Sequence, residues 1–194
     1  MKFRHEQTLV RAHHQVPGAD GPEGRPSDDT LAIAYNSTGD TLSFGGLEGV
    51  VEAWSTGTPH RESYKLNAAM GGGKALTSAV SSIAFLPRSS ASQRGMLIAA
   101  CSNGNVSLWH LGSQKCVHHV DEKAYHPDHL ELQMTEEAHQ TSVVAVTPNG
   151  GRFMTGGKDG VVRVYDEHTF HVTELLTKGH TDGINRAHKL TVTG

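Results

Sequence analysis

The twelve-residue stretch MTGGKDGVVRVY, from Met154 to Tyr165, belongs to a pattern that occurs three times in this chain. Two earlier copies align with it without gaps: SFGGLEGVVEAW, from Ser43 to Trp54, and IAACSNGNVSLW, from Ile98 to Trp109. Each copy has small or apolar residues, then a polar turn ending in Gly, then alternating residues that end on a large aromatic side chain. This pattern predicts a β-hairpin in each copy. The copies are about 55 residues apart, and such regular spacing predicts a repeat architecture.

The residues around each hairpin predict two further strands. Leu31, Ile33 and Tyr35 alternate with small residues before the first hairpin, and the polar, alternating segment 61–68 follows it. The second and third hairpins are flanked in the same way, by the segments 80–85 and 115–120 and by 143–146 and 172–176. Four successive strands of this kind form one antiparallel sheet, so the sequence predicts an all-β fold built from four-stranded units.

Composition supports this prediction and argues against several classes of partner. The 194 residues include 22 Gly and 36% apolar residues, which suits a turn-rich β protein. A formal net charge of −3 gives no sequence-wide basic field for nucleic acid, and the chain has no 18-residue apolar run for membrane insertion. The N-terminus lacks the apolar core of a signal peptide, and Cys101 and Cys116 show no disulfide pattern, so we expect an intracellular, cytoplasmic protein.

Several short motifs resemble the WD-repeat β-propeller family. They are the Gly179-His180 pair, His139 at the corresponding place in unit three, the Asp159-Gly160 turn, and Tyr165-Asp166 where the family usually has Trp-Asp. The resemblance extends over roughly residues 30–180. It implies a β-propeller of four-stranded antiparallel blades, of which this chain supplies about three and part of a fourth.

On this resemblance the chain divides into six segments. They are a strand-like segment with a Gly/Pro-rich loop (1–29), blade 1 (30–68), blade 2 (79–120), an acidic, His-containing connection (121–140), blade 3 (141–177) and the start of a fourth blade (178–194). Three explanations of the missing blades compete: a fragment of a longer propeller, a half-propeller that self-associates, or closure with another chain. Propellers have four to eight blades, which is why we expect the chain alone to be incomplete, and we favour the first explanation.

The resemblance also implies a hydrogen-bonded set that ties blade 3 together. Its members are His139, Thr155 and Asp159, with Tyr165 in place of the usual Trp. A buried acid in such a set is tolerated because it is paired and hydrogen-bonded. Glu48 and Asn103 stand at the Asp position of the first two units, so we expect those blades to be less well tied.

The function implied by the resemblance is that of a scaffold or adaptor for protein partners, without enzymatic activity or a cofactor. Propellers of this family often use their hairpin turns as a contact face, while plain exposed turns remain the alternative for each residue. The candidate turn residues are Leu47, Glu48, Ser102, Asn103 and Lys158.

An alternative function is a metal-dependent or catalytic propeller that uses the His-rich segment 117–129. Its candidate ligands are His118, His119, His126 and His129. Zinc sites need three or four ligands held tetrahedrally by an ordered frame, and this segment has neither a Cys pair nor a helical His spacing. We therefore expect a solvated loop there and no bound metal.

Overall fold

A computed structural model describes residues 30–47, 49–55, 63–66, 78–87, 95–125, 141–147, 151–177 and 183–184. The predicted N-terminal strand, the Gly/Pro-rich loop after it, Glu48 and His139 lie outside the described residues.

The described residues form twelve β-strands and a short 3-10 helix, Glu122–Tyr125. In chain order the strands are β1 (Thr30–Tyr35), β2 (Thr41–Gly46), β3 (Val51–Ser55), β4 (Ser63–Leu66), β5 (Val80–Phe85), β6 (Met96–Cys101), β7 (Asn105–His110), β8 (Lys115–Asp121), β9 (Thr141–Val146), β10 (Arg152–Gly157), β11 (Val162–Asp166) and β12 (Val172–Leu176). Each of them overlaps a strand that the sequence predicts.

Three four-stranded antiparallel sheets contain all of these strands, and their order in each sheet follows the chain. Sheet 1 is β1 to β4, sheet 2 is β5 to β8, and sheet 3 is β9 to β12. The three copies of the repeated stretch form the middle hairpins in one common register, since Trp54 faces Leu42, Trp109 faces Leu97 and Tyr165 faces Phe153. The predicted all-β fold class is confirmed.

The sheets stack face to face, and each has a front and a back. We call the face that carries the hairpin's terminal aromatic residue the front, and the opposite face the back. The back of sheet 1 packs on the front of sheet 2, where Val51 and Ala53 meet Leu97 and Trp109 in one core. The back of sheet 2 packs in the same way on the front of sheet 3, so every internal interface joins a back face to a front face.

Small residues on the back faces let neighbouring inner strands approach closely. A Cβ added at Gly45, on the back of sheet 1, would lie 2.7 Å from Val80 Cβ and 2.9 Å from Ile83 Cδ1. Both neighbours belong to the buried core between sheets 1 and 2. The glycine is therefore required by the spacing of the sheets.

We predict that Gly45→Ala destabilises the fold by about 2 kcal/mol, because the methyl group overpacks a closed core. Gly95→Ala is the matched control, since a Cβ at Gly95 would meet nothing within 4 Å. Urea denaturation followed by tryptophan fluorescence measures both. Equal midpoints for the two variants would contradict the close approach at Gly45.

Candidate functional site

The densest group of buried polar side chains lies on the front of sheet 3, next to sheet 2. Its centre is Glu122, in the 3-10 helix that directly follows β8 and so belongs to the end of sheet 2. Only 3% of this residue is exposed. We call it, together with Thr141, Thr155, Asp159, Arg163 and Tyr165, the Glu122 cluster.

Three hydroxyl groups of sheet 3 donate hydrogen bonds to the Glu122 carboxylate. Thr141 Oγ1 donates to Oε2 at 2.6 Å, and Tyr165 Oη donates to Oε1 at 2.8 Å. Thr155 Oγ1 also donates to Oε1. These bonds replace the water that the carboxylate loses on burial, which is the condition for tolerating a charge there.

Arg163 supplies the positive charge of the cluster. Its Nη2 donates to Asp159 Oδ2 at 2.5 Å, and its Nη1 lies 4.0 Å from Glu122 Oε2. The Arg163 and Asp159 side chains are each 3% exposed. Burial lowers the pKa of Arg163, but the hydrogen bond to Asp159 and the charges of Glu122 and Asp159 outweigh it and hold that pKa above its usual value.

The phenol of Tyr165 stays protonated at neutral pH and so remains a hydrogen-bond donor. Burial first, and then the negative charge of Glu122, raise the pKa of Tyr165 far above its usual value. The ring also stacks on Phe153, with centroids 4.6 Å apart and planes 3° from parallel. Tyr165 therefore contributes both a buried aromatic surface and a hydrogen bond to Glu122.

The structure joins the predicted set of blade 3 in a different way from the one expected. Thr155 and Tyr165 meet through Glu122, and Asp159 enters the cluster through Arg163. The role expected for His139 stays a prediction, because that residue lies outside the described part of the chain.

Sequence reasoning missed Glu122, Thr141 and Arg163. Strand alternation places Arg163 on the same face as Tyr165, so it could have been recognised as a buried cation that needs an acid. Glu122 gave no comparable signal: it lies 43 residues before Tyr165, in a segment for which a solvated loop was expected. The expectation of a solvated loop was wrong for the first residues of that segment, because the strand β8 extends to Asp121 and Glu122 is buried.

The other two sheets carry different residues at the positions of this cluster. In sheet 1, Glu52 stands at the Arg163 position and its Oε2 accepts a hydrogen bond from Trp54 Nε1 at 3.2 Å. In sheet 2, Trp109 is fully buried and its Nε1 has no hydrogen-bond partner among the described residues. Among the described residues, a buried acid from the preceding sheet therefore accepts hydrogen bonds at this position in sheet 3, and the aromatic residues of sheets 1 and 2 have different surroundings.

The candidate contact turns divide into exposed and internally bonded residues. Leu47 and Lys158 are exposed. Asn103 Oδ1 accepts from the backbone N–H of Asn105 at 3.1 Å, so this side chain stabilises its own turn. Ser102 Oγ lies 2.6 Å from Ser78 Oγ and so connects the turn to the residues that precede β5. Asp159 Oδ1 accepts a hydrogen bond from the backbone N–H of Val161, as Asn103 Oδ1 does from that of Asn105.

The four candidate histidine ligands are not brought together in the described structure. His118 and His119 lie on β8 with side chains on opposite faces, and His126 and His129 fall outside the described residues. His119 Nδ1 lies 3.0 Å from Ser107 Oγ, and the His118 ring lies 5.3 Å from that of Phe170. The described residues include no group of three or more His, Cys, Asp or Glu that could hold a metal ion.

The fold defined by these sheets is that of β-propeller blades, with four antiparallel strands each and inner strands side by side. Two segments, residues 72–110 and 130–166, match the family model described as "WD domain, G-beta repeat". The two segments are therefore similar to WD repeats, and the resemblance to the WD-repeat family is confirmed. Comparison with curated protein sequences found no significant match.

We predict that Asp159→Ala destabilises the protein more than Asn103→Ala. Each substitution removes a side chain that accepts a backbone hydrogen bond in the equivalent turn of its sheet, but the first also leaves Arg163 buried without its nearest acid, at a cost of about 3 kcal/mol. The second should cost about 1 kcal/mol, the value of one hydrogen bond. Chemical denaturation of the two variants provides the comparison, and equal losses would show that the Arg163 pair contributes nothing.

Glu122→Ala should cost about 3 kcal/mol, because three hydroxyl donors and Arg163 lose their shared acceptor. Glu174→Ala, an exposed residue on β12, is the control and should change stability by less than about 0.5 kcal/mol. Denaturant midpoints measure both. A small effect at Glu122 would mean that water replaces the carboxylate readily.

Stability should also depend on pH through His118. Burial first, and then the nearby charge of His171, lower the pKa of His118. The unfolded chain therefore binds this proton more tightly than the folded chain, so stability is fully present above the usual His pKa and falls as pH drops through the lowered value. His118→Gln should flatten the melting temperature between pH 7 and about pH 5 relative to the unmodified chain. An unchanged slope would contradict this assignment.

Proposed function

We propose that this chain is a non-enzymatic scaffold whose hairpin turns contact protein partners. WD repeats generally mediate protein–protein interaction, and two segments of the chain are similar to such repeats. The observation that supports the proposal most directly is the common register of the three middle hairpins, which repeats one turn in each sheet.

The stacking of the sheets gathers these turns into one surface. The inner strands β1, β5 and β9 lie side by side, and each sheet has the same strand order. Equivalent turns therefore lie at the same end of the stack, where a rigid frame positions three loops for contact.

Leu47 and Lys158 are the residues of this surface that we expect to contact a partner. Leu47 presents an exposed aliphatic side chain, and Lys158 presents an exposed, flexible cation. The turn itself requires neither of these side-chain types. Ser102 and Asn103 have structural roles instead, since the Asn103 side chain bonds within its turn and the Ser102 side chain contacts Ser78.

The chemistry of the Glu122 cluster supports a structural role over a catalytic one. Both oxygens of the carboxylate accept hydrogen bonds from sheet 3, and Tyr165 and Arg163 are held in their ordinary protonation states. A catalytic acid or base needs access to a substrate proton, whereas these groups are buried between two sheets.

We further propose that the scaffold works in the reducing environment of the cytoplasm. Cys101 and Cys116 are both free, and burial raises the pKa of the Cys101 thiol to about 12, so it is unreactive. Among the residues that the structure describes, no helix has the length and apolar character needed to cross a membrane.

Affinity capture with quantitative mass spectrometry tests the contact surface. We expect Leu47→Asp and Lys158→Glu to lose the same specific proteins, and a purified partner to bind each variant at least about tenfold more weakly. Lys115→Glu is the control, because it reverses an exposed lysine at the start of β8, at the opposite end of the sheet from the turn. Loss of the partner in the control, or retention in both turn variants, would place the contact elsewhere.

A further inference from the structure

The turn between β10 and β11 forms with few contacts of its own. Gly160 N–H donates to the Gly157 carbonyl at 3.2 Å, and Asp159 Oδ1 accepts from Val161 N–H at 3.1 Å. The equivalent turn of sheet 2 makes the same two bonds, with a neutral Asn in place of the Asp. A turn of this shape therefore needs no ion pair.

Sheet 3 adds a charged path from this turn to the preceding sheet. Asp159 Oδ2 accepts a hydrogen bond from Arg163 Nη2 at 2.5 Å, and Arg163 Nη1 lies 4.0 Å from Glu122 Oε2. In sheet 2, Ser107 stands at the position of Arg163, and its Oγ lies 3.0 Å from His119 Nδ1 in the same sheet. Buried ion pairs contribute little net stability but can fix one arrangement of the elements that they join. The path therefore sets the position of the turn relative to sheet 2.

Lys158, at the tip of this turn, presents a positive charge to solvent. The residue is exposed, whereas the side chain of its neighbour Asp159 is 3% exposed. Both Asp159 oxygens accept hydrogen bonds inside the chain, one from Val161 N–H and one from Arg163. The adjacent acid is thus paired with Arg163 instead of Lys158. A cation presented in this way is complementary to an acidic group of a partner.

The turn is also supported from its other side, by residues 183–184. Ile184 N–H donates to the Gly157 carbonyl at 2.8 Å, and a Cβ at Gly183 would lie 3.1 Å from Lys158 Cα. The backbone before and after Lys158 is therefore held in place. A contact residue on a fixed backbone loses less conformational freedom when it binds its partner.

We propose that Arg163 is a positioning residue of the turn surface: through Asp159 it fixes the turn so that Lys158 binds an acidic side chain of the partner. This rests on the proposed function, because it concerns the same surface, and it adds the chemistry of the partner. Glu122 of sheet 2 holds the other side of the guanidinium group, so the turn is positioned against both sheets.

A peptide that binds the turn surface provides the probe. Dodecapeptides are selected from a random phage-displayed library on the unmodified 194-residue chain, labelled with fluorescein and titrated by fluorescence anisotropy. We expect the selected peptides to carry Asp or Glu, to bind Lys158→Glu at least about tenfold more weakly, and to bind Lys158→Arg within about twofold. Lys115→Glu, at the opposite end of sheet 2, is the control and should bind them like the unmodified chain.

Three results of this titration would overturn the proposal. They are selected peptides without acidic residues, the lack of any peptide whose binding depends on Lys158, and an equal loss of binding in the Lys115→Glu control. Circular dichroism of each variant establishes that the sheets are formed.

A double-mutant cycle tests whether Arg163 acts through Asp159. Asp159→Asn keeps an acceptor for Val161 N–H and removes the charge, and Arg163→Gln removes the opposite charge. Each single variant should bind the probe at least about fivefold more weakly, and the double variant no more weakly than the weaker single one, because partners in one ion pair are not additive. Losses that multiply in the double variant, or single variants that bind like the unmodified chain, would contradict the positioning role.

Amide hydrogen exchange separates positioning from a loss of overall stability. The N–H groups of Val161 and Asn105 donate to the equivalent turn residues of sheets 3 and 2. General destabilisation accelerates both exchange rates by similar factors, whereas Arg163→Gln should accelerate exchange at Val161 at least about tenfold more than at Asn105. Equal acceleration would mean that the substitution acts on stability only, and the proposal would be wrong.

The capture experiment on cellular partners keeps this proposal distinct from the proposed function. A captured partner that depends on Leu47 and Lys158 but binds Arg163→Gln normally would support the scaffold function and overturn the positioning role. Capture of no partner would instead count against the proposed function, while the peptide titration and the exchange rates decide the role of Arg163 by themselves.

Discussion

The Glu122 carboxylate is the contact on which the arrangement of sheets 2 and 3 depends most. It follows the outer strand of sheet 2 and accepts hydrogen bonds from Thr141, Thr155 and Tyr165 on sheet 3. Apolar packing alone holds two sheets together with limited preference for their relative position, whereas a buried acid with three directed donors penalises any displacement. Arg163 and Asp159 extend this constraint to the hairpin turn, because they couple the same cluster to the end of sheet 3.

The two faces of each sheet have different roles in packing. Front faces carry the large aromatic residues Trp54, Trp109 and Tyr165, and back faces carry small residues such as Gly45 and Gly156 next to branched ones. Large groups can then enter the space left by small ones, which keeps the packing dense at a short distance between inner strands.

The fold could be predicted from the sequence largely because the repeated stretch combines a turn signal with strict alternation, and these are local properties. The cluster could not be predicted in the same way, because its centre comes from a connecting segment and depends on which sheet follows which. Thr155 and Tyr165 were found through the family pattern, but their acceptor was not, since Glu122 has no counterpart in that pattern. The turn residues Ser102 and Asn103 show a related limit: their residue types are typical of both exposed contacts and internal turn bonds, and only the distances decide between these roles.

The position of Glu122 in the chain also matters for the order in which the protein can assemble. During synthesis the strands of sheet 2 leave the ribosome first, Glu122 directly after them, and its three donors later, the last of them 43 residues on. Domains generally fold as units during synthesis, starting from the N-terminal end of the chain. The acceptor of the Glu122 cluster is therefore synthesised before any of its three donors, and the cluster can be completed only once β11 has been made.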